Sequence, residues 1–227
     1  MSIRTSSNKT KEDEEEYRMT VVRTVMLKPR PGKTFEVLEW LPKFTPVFDE
    51  LDLVGHAFWQ AITGQNYGNI MVTYVAEDIE KLGAAQDAAT ANPVFKELLT
   101  DVPVDVTGSI ISQTVSQSGS LDIDSVKLRA SVLMSPNPGR GDDVLRRANR
   151  LSETLVECGA QASHVRSSMA GPVGPGVGVH TFYESWANWG EVREGLSNSQ
   201  FWNVINKSQD DITSSGPTVQ LYKKIAI

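Results

Sequence analysis

The chain has 227 residues, 40% of them hydrophobic and 22% charged, which is enough material for one large core or two small ones. Its 28 acidic against 22 basic residues give a net charge of −6, with no cationic surplus to neutralise phosphates, so nucleic acid is not an expected partner. One cysteine, Cys158, excludes an internal disulfide and a cysteine-rich zinc site. No apolar run approaches the roughly 20 residues that span a bilayer, and the first residues hold no apolar segment fit for a secretory signal; a cytoplasmic location with no membrane partner is expected.

Residues 1–17 form a charge-dense polar tail with nothing to bury, expected to be disordered. A β-branched run, Val21 to Leu27, is then stopped by the Pro31-Gly32 turn. The spacing of Phe35, Leu38, Leu41, Phe44, Phe48 and Leu51 predicts a helical stretch, with a kink or two short helices at Pro42 and Pro46. Strands from His56 to Thr63 and Ile70 to Val75 flank a glycine turn. A helix is expected from Asp78 to Leu99, and a strand from Val104 to Val115 closes a first unit, residues 18–115. Residues 116–125, SQSGSLDIDS, read as a linker.

A second unit, residues 126–227, repeats that order. A strand from Leu128 to Met134 ends at Pro138-Gly139, and a helix follows on Val144, Ala148, Leu151, Leu155 and Cys158. Strands run from His164 to Met169 and Val177 to Tyr183, then a helix from Ala187 to Ser208 and a strand from Thr218 to Ile227. An offset of 107 residues carries Pro31-Gly32-Lys33 onto Pro138-Gly139-Arg140 and Val37-Leu38 onto Val144-Leu145. Further on, YGNIMVTYVAEDIEKL matches GVGVHTFYESWANWGEV if two residues are inserted, and ANPVFKELL pairs with SNSQFWNVI. The pattern is βαββαβ twice. It predicts an α+β chain of two tandem ferredoxin-like units whose antiparallel sheets pack face to face as an intramolecular α/β barrel.

On the Pro-Gly-Lys/Arg turn, Phe182-Tyr183-Glu184-Ser185-Trp186, and the segments Asn92-Pro93-Val94-Phe95 and Asn198-Ser199-Gln200-Phe201, the chain resembles the dimeric α/β-barrel superfamily. Its relatives include the antibiotic-biosynthesis monooxygenases, EthD-like and NIPSNAP-like proteins, polyketide cyclases and the chlorite-dismutase group. The resemblance implies a barrel but no one reaction, because this fold hosts many. Many monooxygenase-like relatives carry a histidine late in the second helix. Here that region reads Val192-Arg193-Glu194-Gly195-Leu196, and Ala85 to Ala89 in the first unit, so no catalytic residue is carried across.

The candidate chemistry lies in the central hairpins. With Val165 turned toward the helices, alternation turns His164 and Arg166 inward; His180 shares a face with Phe182, which face being open. If both histidines face inward, His164, Arg166 and His180 form a cationic, proton-transferring cluster able to hold a carboxylate, phenolate or developing enolate. Tyr183 and Glu184 are further catalytic candidates. His56, Trp59, Tyr67, Met71, Tyr74 and Phe182 are substrate-binding candidates, with Ala57, Trp59 and Met71 matching His164, Arg166 and His180 as an apolar wall. Gly171 to Gly178 reads as a hairpin tip, a potential lid, not a phosphate loop.

No metal-ligand spacing occurs, and no metal is expected. The expected function is a cofactor-independent enzyme on an apolar aromatic or polyketide-like metabolite: a cyclase, isomerase or monooxygenase. One alternative is a haem protein resembling the chlorite-dismutase group, since one axial histidine needs no motif. Another is a non-catalytic ligand-binding or scaffold protein. The expected partner is a small molecule, and the chain itself a monomer or homodimer.

Overall fold

The computed structural model describes residues 19–171, 176–207, 212–214 and 218–227. The expected tail at 1–17 and the centre of the glycine-rich tip lie outside the described residues.

The first repeat runs β1 (Val21–Pro29), α1 (Thr34–Trp40), a 3-10 turn (Leu41–Lys43), α2 (Phe44–Asp49), β2 (Gly55–Ala61), β3 (Ile70–Ala76), α3 (Ile79–Ala91), α4 (Pro93–Thr100) and β4 (Val104–Gly119). The second runs β5 (Leu128–Met134), α5 (Gly141–Glu157), β6 (Ala162–Ala170), β7 (Val177–Tyr183), α6 (Trp186–Asn198), α7 (Gln200–Lys207) and β8 (Thr218–Lys224). Pro42 and Pro46 remove two backbone donors and break the first helical stretch into short pieces. α5 has Asn149 and Glu153 at those positions and continues unbroken for 17 residues.

The single second helix expected in each repeat is two. Asn92, forced to extended backbone by Pro93, ends α3 and caps α4 by accepting from the Val94 N–H at 2.9 Å. Ser199 does the same between α6 and α7 without a proline, its hydroxyl accepting from the Trp202 N–H at 3.1 Å. The linker is also shorter than expected. β4 continues through Ser116 to Gly119, because that half of the strand pairs with β6 across the repeat boundary.

All eight strands form one closed antiparallel barrel, in the order β1-β3-β2-β8-β5-β7-β6-β4, with β4 returning to β1. Each repeat keeps the strand order of a ferredoxin-like sheet. The two sheets face each other and are joined at both edges: β4 with β6 over eight paired positions, β2 with β8 over three. The register also corrects the repeat alignment. Ala57 pairs with Thr73 and His164 with His180, so the offset of 107 holds through the hairpins and no insertion is needed. Thr73, not Met71, is the counterpart of His180.

Alternation then divides the side chains into two shells. Outward positions pack on the helices of their own repeat: Leu27, Ile70 and Val72 with Val37, Leu41 and Leu82 in the first, Leu128, Val165 and Val179 with Val144, Leu151 and Val192 in the second. Each fully covered aliphatic side chain contributes about 1.5–3 kcal/mol. Inward positions make a third cluster with Ala57, Trp59, Met71, Phe182 and Tyr222, capped at one barrel mouth by Leu121 and Ile123 of the linker.

Gly119 ends β4 at φ +73°, where an added Cβ would lie 2.3 Å from the Gln161 carbonyl oxygen. Gly139, at φ +77° in the Pro-Gly turn, has open space instead. Gly139→Ala should therefore cost about 1–2 kcal/mol for backbone conformation alone. Gly119→Ala should cost clearly more because the seam with β6 must shift; urea denaturation of the two variants measures the difference.

Candidate functional site

Six of the eleven residues singled out in the sequence project into the barrel together: Trp59, Met71, His164, Arg166, His180 and Phe182. His164 and His180 are directly opposed on β6 and β7, and Phe182 meets the His164 ring edge-on at 5.1 Å and Trp59 at 6.1 Å.

The other five stand elsewhere. Tyr74 and Tyr183 occupy outward positions in the helix-facing cores. The Tyr74 hydroxyl donates to Gln86 on α3 at 2.7 Å, and burial pushes the Tyr183 phenol up to about 12. Glu184 is exposed and accepts from Gln161 at 3.3 Å; Tyr67 is 75% exposed on its hairpin. His56 borders a cavity rim, but its ring packs on the helix side against Phe48 at 5.3 Å, with Asp49 3.9 Å away. Strand parity explains both tyrosines and His56, since each shares a face with core residues such as Val72, Phe58 and Val179.

Four residues complete the interior: Arg129 and Ser131 on β5, Gln220 and Tyr222 on β8. Their signal was present in the sequence. Leu128, Ala130 and Met134 alternate with Arg129 and Ser131, as Val219 and Leu221 do with Gln220 and Tyr222. The Arg129 guanidinium lies 4.8 Å from the Trp59 ring centre and 4.4 Å from that of Tyr222, so aromatic rings pack against it. One of its terminal nitrogens meets the Met71 sulfur at 3.8 Å. Gln220 accepts from the Tyr222 hydroxyl at 2.5 Å and from Asn66 at 3.1 Å.

Arg129 and Arg166 line both of two interior cavities, one of about 110 Å³ and one of about 370 Å³. They form a waist between them. His180, Ser131 and Gln220 border the smaller cavity; His164, Trp59, Val75 and Phe182 border the larger. Ser131 Oγ lies 2.9 Å from His180 Nδ1, which leaves Nε2 as the free ring nitrogen. Gly178 makes room for it, since a Cβ there would come within 2.7 Å of that Nε2.

The waist is cationic and uncompensated. Arg129 and Arg166 are 3% and 6% exposed, and no Asp or Glu is buried among the described residues. The Nε atoms of both, His164 Nε2 and Gln220 Nε2 have no hydrogen-bond partner. Burial lowers Arg129 to about 10 and, with the Arg129 charge beside it, Arg166 to about 9, so both stay protonated at neutral pH. Burial, reinforced by Arg166, lowers His164 to about 3 and holds His180 well below the ordinary imidazole range. The positive charge of this cluster therefore resides on the guanidiniums. The imidazoles are neutral, so the arginines alone make the cluster cationic.

Of the two histidines that could serve as an axial haem ligand, His180 borders a cavity of about 110 Å³, well below the ~300 Å³ of small ligand sites, and His164 borders the one of about 370 Å³. Among the described residues no three His, Cys, Asp or Glu side chains converge as a metal site would require. No described helix is long and apolar enough to cross a membrane.

No family model and no curated protein matches the chain by sequence. Solved structures match it by shape. A protein described as anthrone oxidase-like is 12% identical over 92% of each chain, with a TM-score of 0.63. One named for a monooxygenase, from Fusobacterium nucleatum, is 8% identical over 92% of this chain and 94% of its own, at 0.68. One named for a chlorite dismutase is 12% identical over 91% and 94%, at 0.57. The chain thus shares a tandem ferredoxin-like barrel with these structures, and at these identities the likeness is one of fold.

A histidine kept neutral by burial binds its proton in the unfolded state first. Its folded value lies below its unfolded one, so the stability it contributes is complete above pH 6.5 and lost as pH falls toward the folded value. His164 alone should cost about 2 kcal/mol by pH 5. Thermal melts from pH 7.5 to 5 should fall less steeply for His164→Gln than for the unsubstituted protein.

Proposed function

We propose that the barrel interior is the active site of a small-molecule enzyme that acts, without a cofactor, on a flat aromatic or polyketide-like metabolite through an enolate or phenolate. The observation that carries this reading is the pair of buried guanidiniums with no buried acidic partner among the described residues, set beside two neutral imidazoles in a mostly apolar chamber. Fold likeness to monooxygenase-named proteins supports a small-molecule enzyme and goes no further.

The residues divide the work by their chemistry. Trp59, Val75 and Phe182 offer apolar surface for a ring system in the larger cavity. The edges of Arg129 and Arg166 receive the substrate oxygen and stabilise negative charge as it develops there. A neutral imidazole accepts the carbon-bound proton, with His180 the leading candidate because Ser131 fixes its Nδ1 and leaves Nε2 free. Low basicity is offset at the moment of reaction, because the enolate that forms is an anion beside the ring and favours the imidazolium. Returning the proton to another carbon completes an isomerisation or cyclisation. With O2 as oxidant, the enolate carbon is oxygenated and water is lost.

Anthrone is the natural first probe, since it enolises to a phenol and a structural neighbour is described as anthrone oxidase-like. The balanced reaction is anthrone plus O2 to anthraquinone plus water. Aerobic turnover, followed by quinone absorbance and O2 uptake, should exceed the buffer rate. His180→Ala and Arg166→Gln should each lower kcat/KM about 10²-fold or more. Unchanged rates in His180→Ala and His164→Ala would remove the histidines from the mechanism. Binding of anthrone without turnover would favour a carrier over an oxygenase.

A further inference from the structure

We infer that the ligand of this chamber carries a permanent carboxylate, seated at the waist between Arg129 and Arg166, in addition to an enolisable or phenolic oxygen. This rests on the proposed site but not on the proposed chemistry. The argument is one of charge count. Two guanidiniums lie in the interior, 3% and 6% exposed, and no carboxylate of the described residues is buried with them. Both histidines are neutral, so among the described residues only the Trp59 and Tyr222 rings on Arg129 soften the charge, and no anion offsets it. Proton transfer from substrate to a histidine leaves the net charge of the site unchanged, so an enolate alone leaves two cations without a counter-charge throughout. A permanent carboxylate offsets one of them before and during reaction, and an acidic oxygen that ionises on binding offsets the other.

The geometry assigns the two anionic groups to one place. The buried Arg166 Nε has no hydrogen-bond partner, so that edge of its planar fork is open to bidentate pairing with a carboxylate. Arg129 packs against the Trp59 and Tyr222 rings. Both guanidiniums border both cavities, which places a carboxylate at the waist with the ring system in the 370 Å³ space beside Trp59 and Phe182. The second acidic oxygen, ortho or peri to the carboxylate, then falls within the same guanidinium field. The substrate class is an aromatic or polyketide-derived hydroxy acid.

The inference also requires that the ligand-free protein be under electrostatic load. An unpaired buried charge is expensive, so its removal relieves the apo fold and abolishes anion binding. Calorimetric titration at pH 7.5 with three probes of matched ring size tests the idea: 2-naphthol, 1-naphthoate and 3-hydroxy-2-naphthoate. The hydroxynaphthoate should bind at least tenfold more tightly than the naphthoate, and the naphthol most weakly. Arg166→Met should weaken both acids at least tenfold, leave the naphthol within about twofold, and raise the ligand-free Tm by about 3 °C.

Naphthol binding as tight as the acids, or acids unaffected by Arg166→Met, overturns the inference. A lower ligand-free Tm in Arg166→Met overturns the premise that the guanidinium is unpaired; Arg166→Lys, which keeps a charge without the fork, should then bind the acids no better than Met. Because the readout is binding, failure of anthrone turnover leaves this result standing, and failure here leaves the enolate chemistry to its own assay.

Discussion

Every property of the interior depends on the two seams that join the repeats. A four-stranded ferredoxin-like sheet buries one face under its helices and leaves the other exposed. In this chain β4, 16 residues long, pairs with β1 in its own repeat and continues along β6 of the next, while β2 meets β8 on the far side. Closure satisfies the edge hydrogen bonds that would otherwise invite pairing with other chains, and converts two solvent-facing sheets into one dry chamber. Guanidiniums that would be unremarkable on an open sheet become, inside that chamber, buried charges without a carboxylate partner among the described residues.

Duplication supplied the framework and divergence supplied the polarity. With the offset of 107 holding throughout, Val22 corresponds to Arg129, Thr24 to Ser131, Ala57 to His164, Trp59 to Arg166, Thr73 to His180 and Val75 to Phe182. The first repeat furnishes mainly walls and the second mainly functional groups. The division joins at the waist, where Trp59 of the first repeat lies against Arg129 of the second. Buried cations without partners weaken a fold, and aromatic faces on Arg129 recover only part of that cost.

Helix breaks and caps illustrate how local chemistry serves this plan. Asn92 and Ser199 end α3 and α6 at equivalent places through different means, one with a following proline and one without. The breaks let each helical layer follow the curve of its half-barrel, with Leu98 and Leu196 still buried. The linker, reduced to a short segment after Gly119, lays Leu121 and Ile123 over a barrel mouth and so also lines the larger cavity.

Much of this was written in the residues themselves. The two-fold βαββαβ order followed from hydrophobic periodicity and the repeated Pro-Gly turn, because both are local signals. The inward aim of His164 and Arg166 followed from strand alternation against Val165. The same rule, applied to Arg129, Ser131, Gln220 and Tyr222, would have found the rest of the site. What alternation could not supply was the cross-strand register, which depends on partners distant in sequence: it alone placed His180 opposite His164, made Thr73 its counterpart, and turned Tyr74 and Tyr183 away from the chamber. Nor could composition reveal the uncompensated waist. A net charge of −6 says nothing about where carboxylates are missing; only closure of the barrel, which shuts two cations in and every acidic group of the described chain out, decided that.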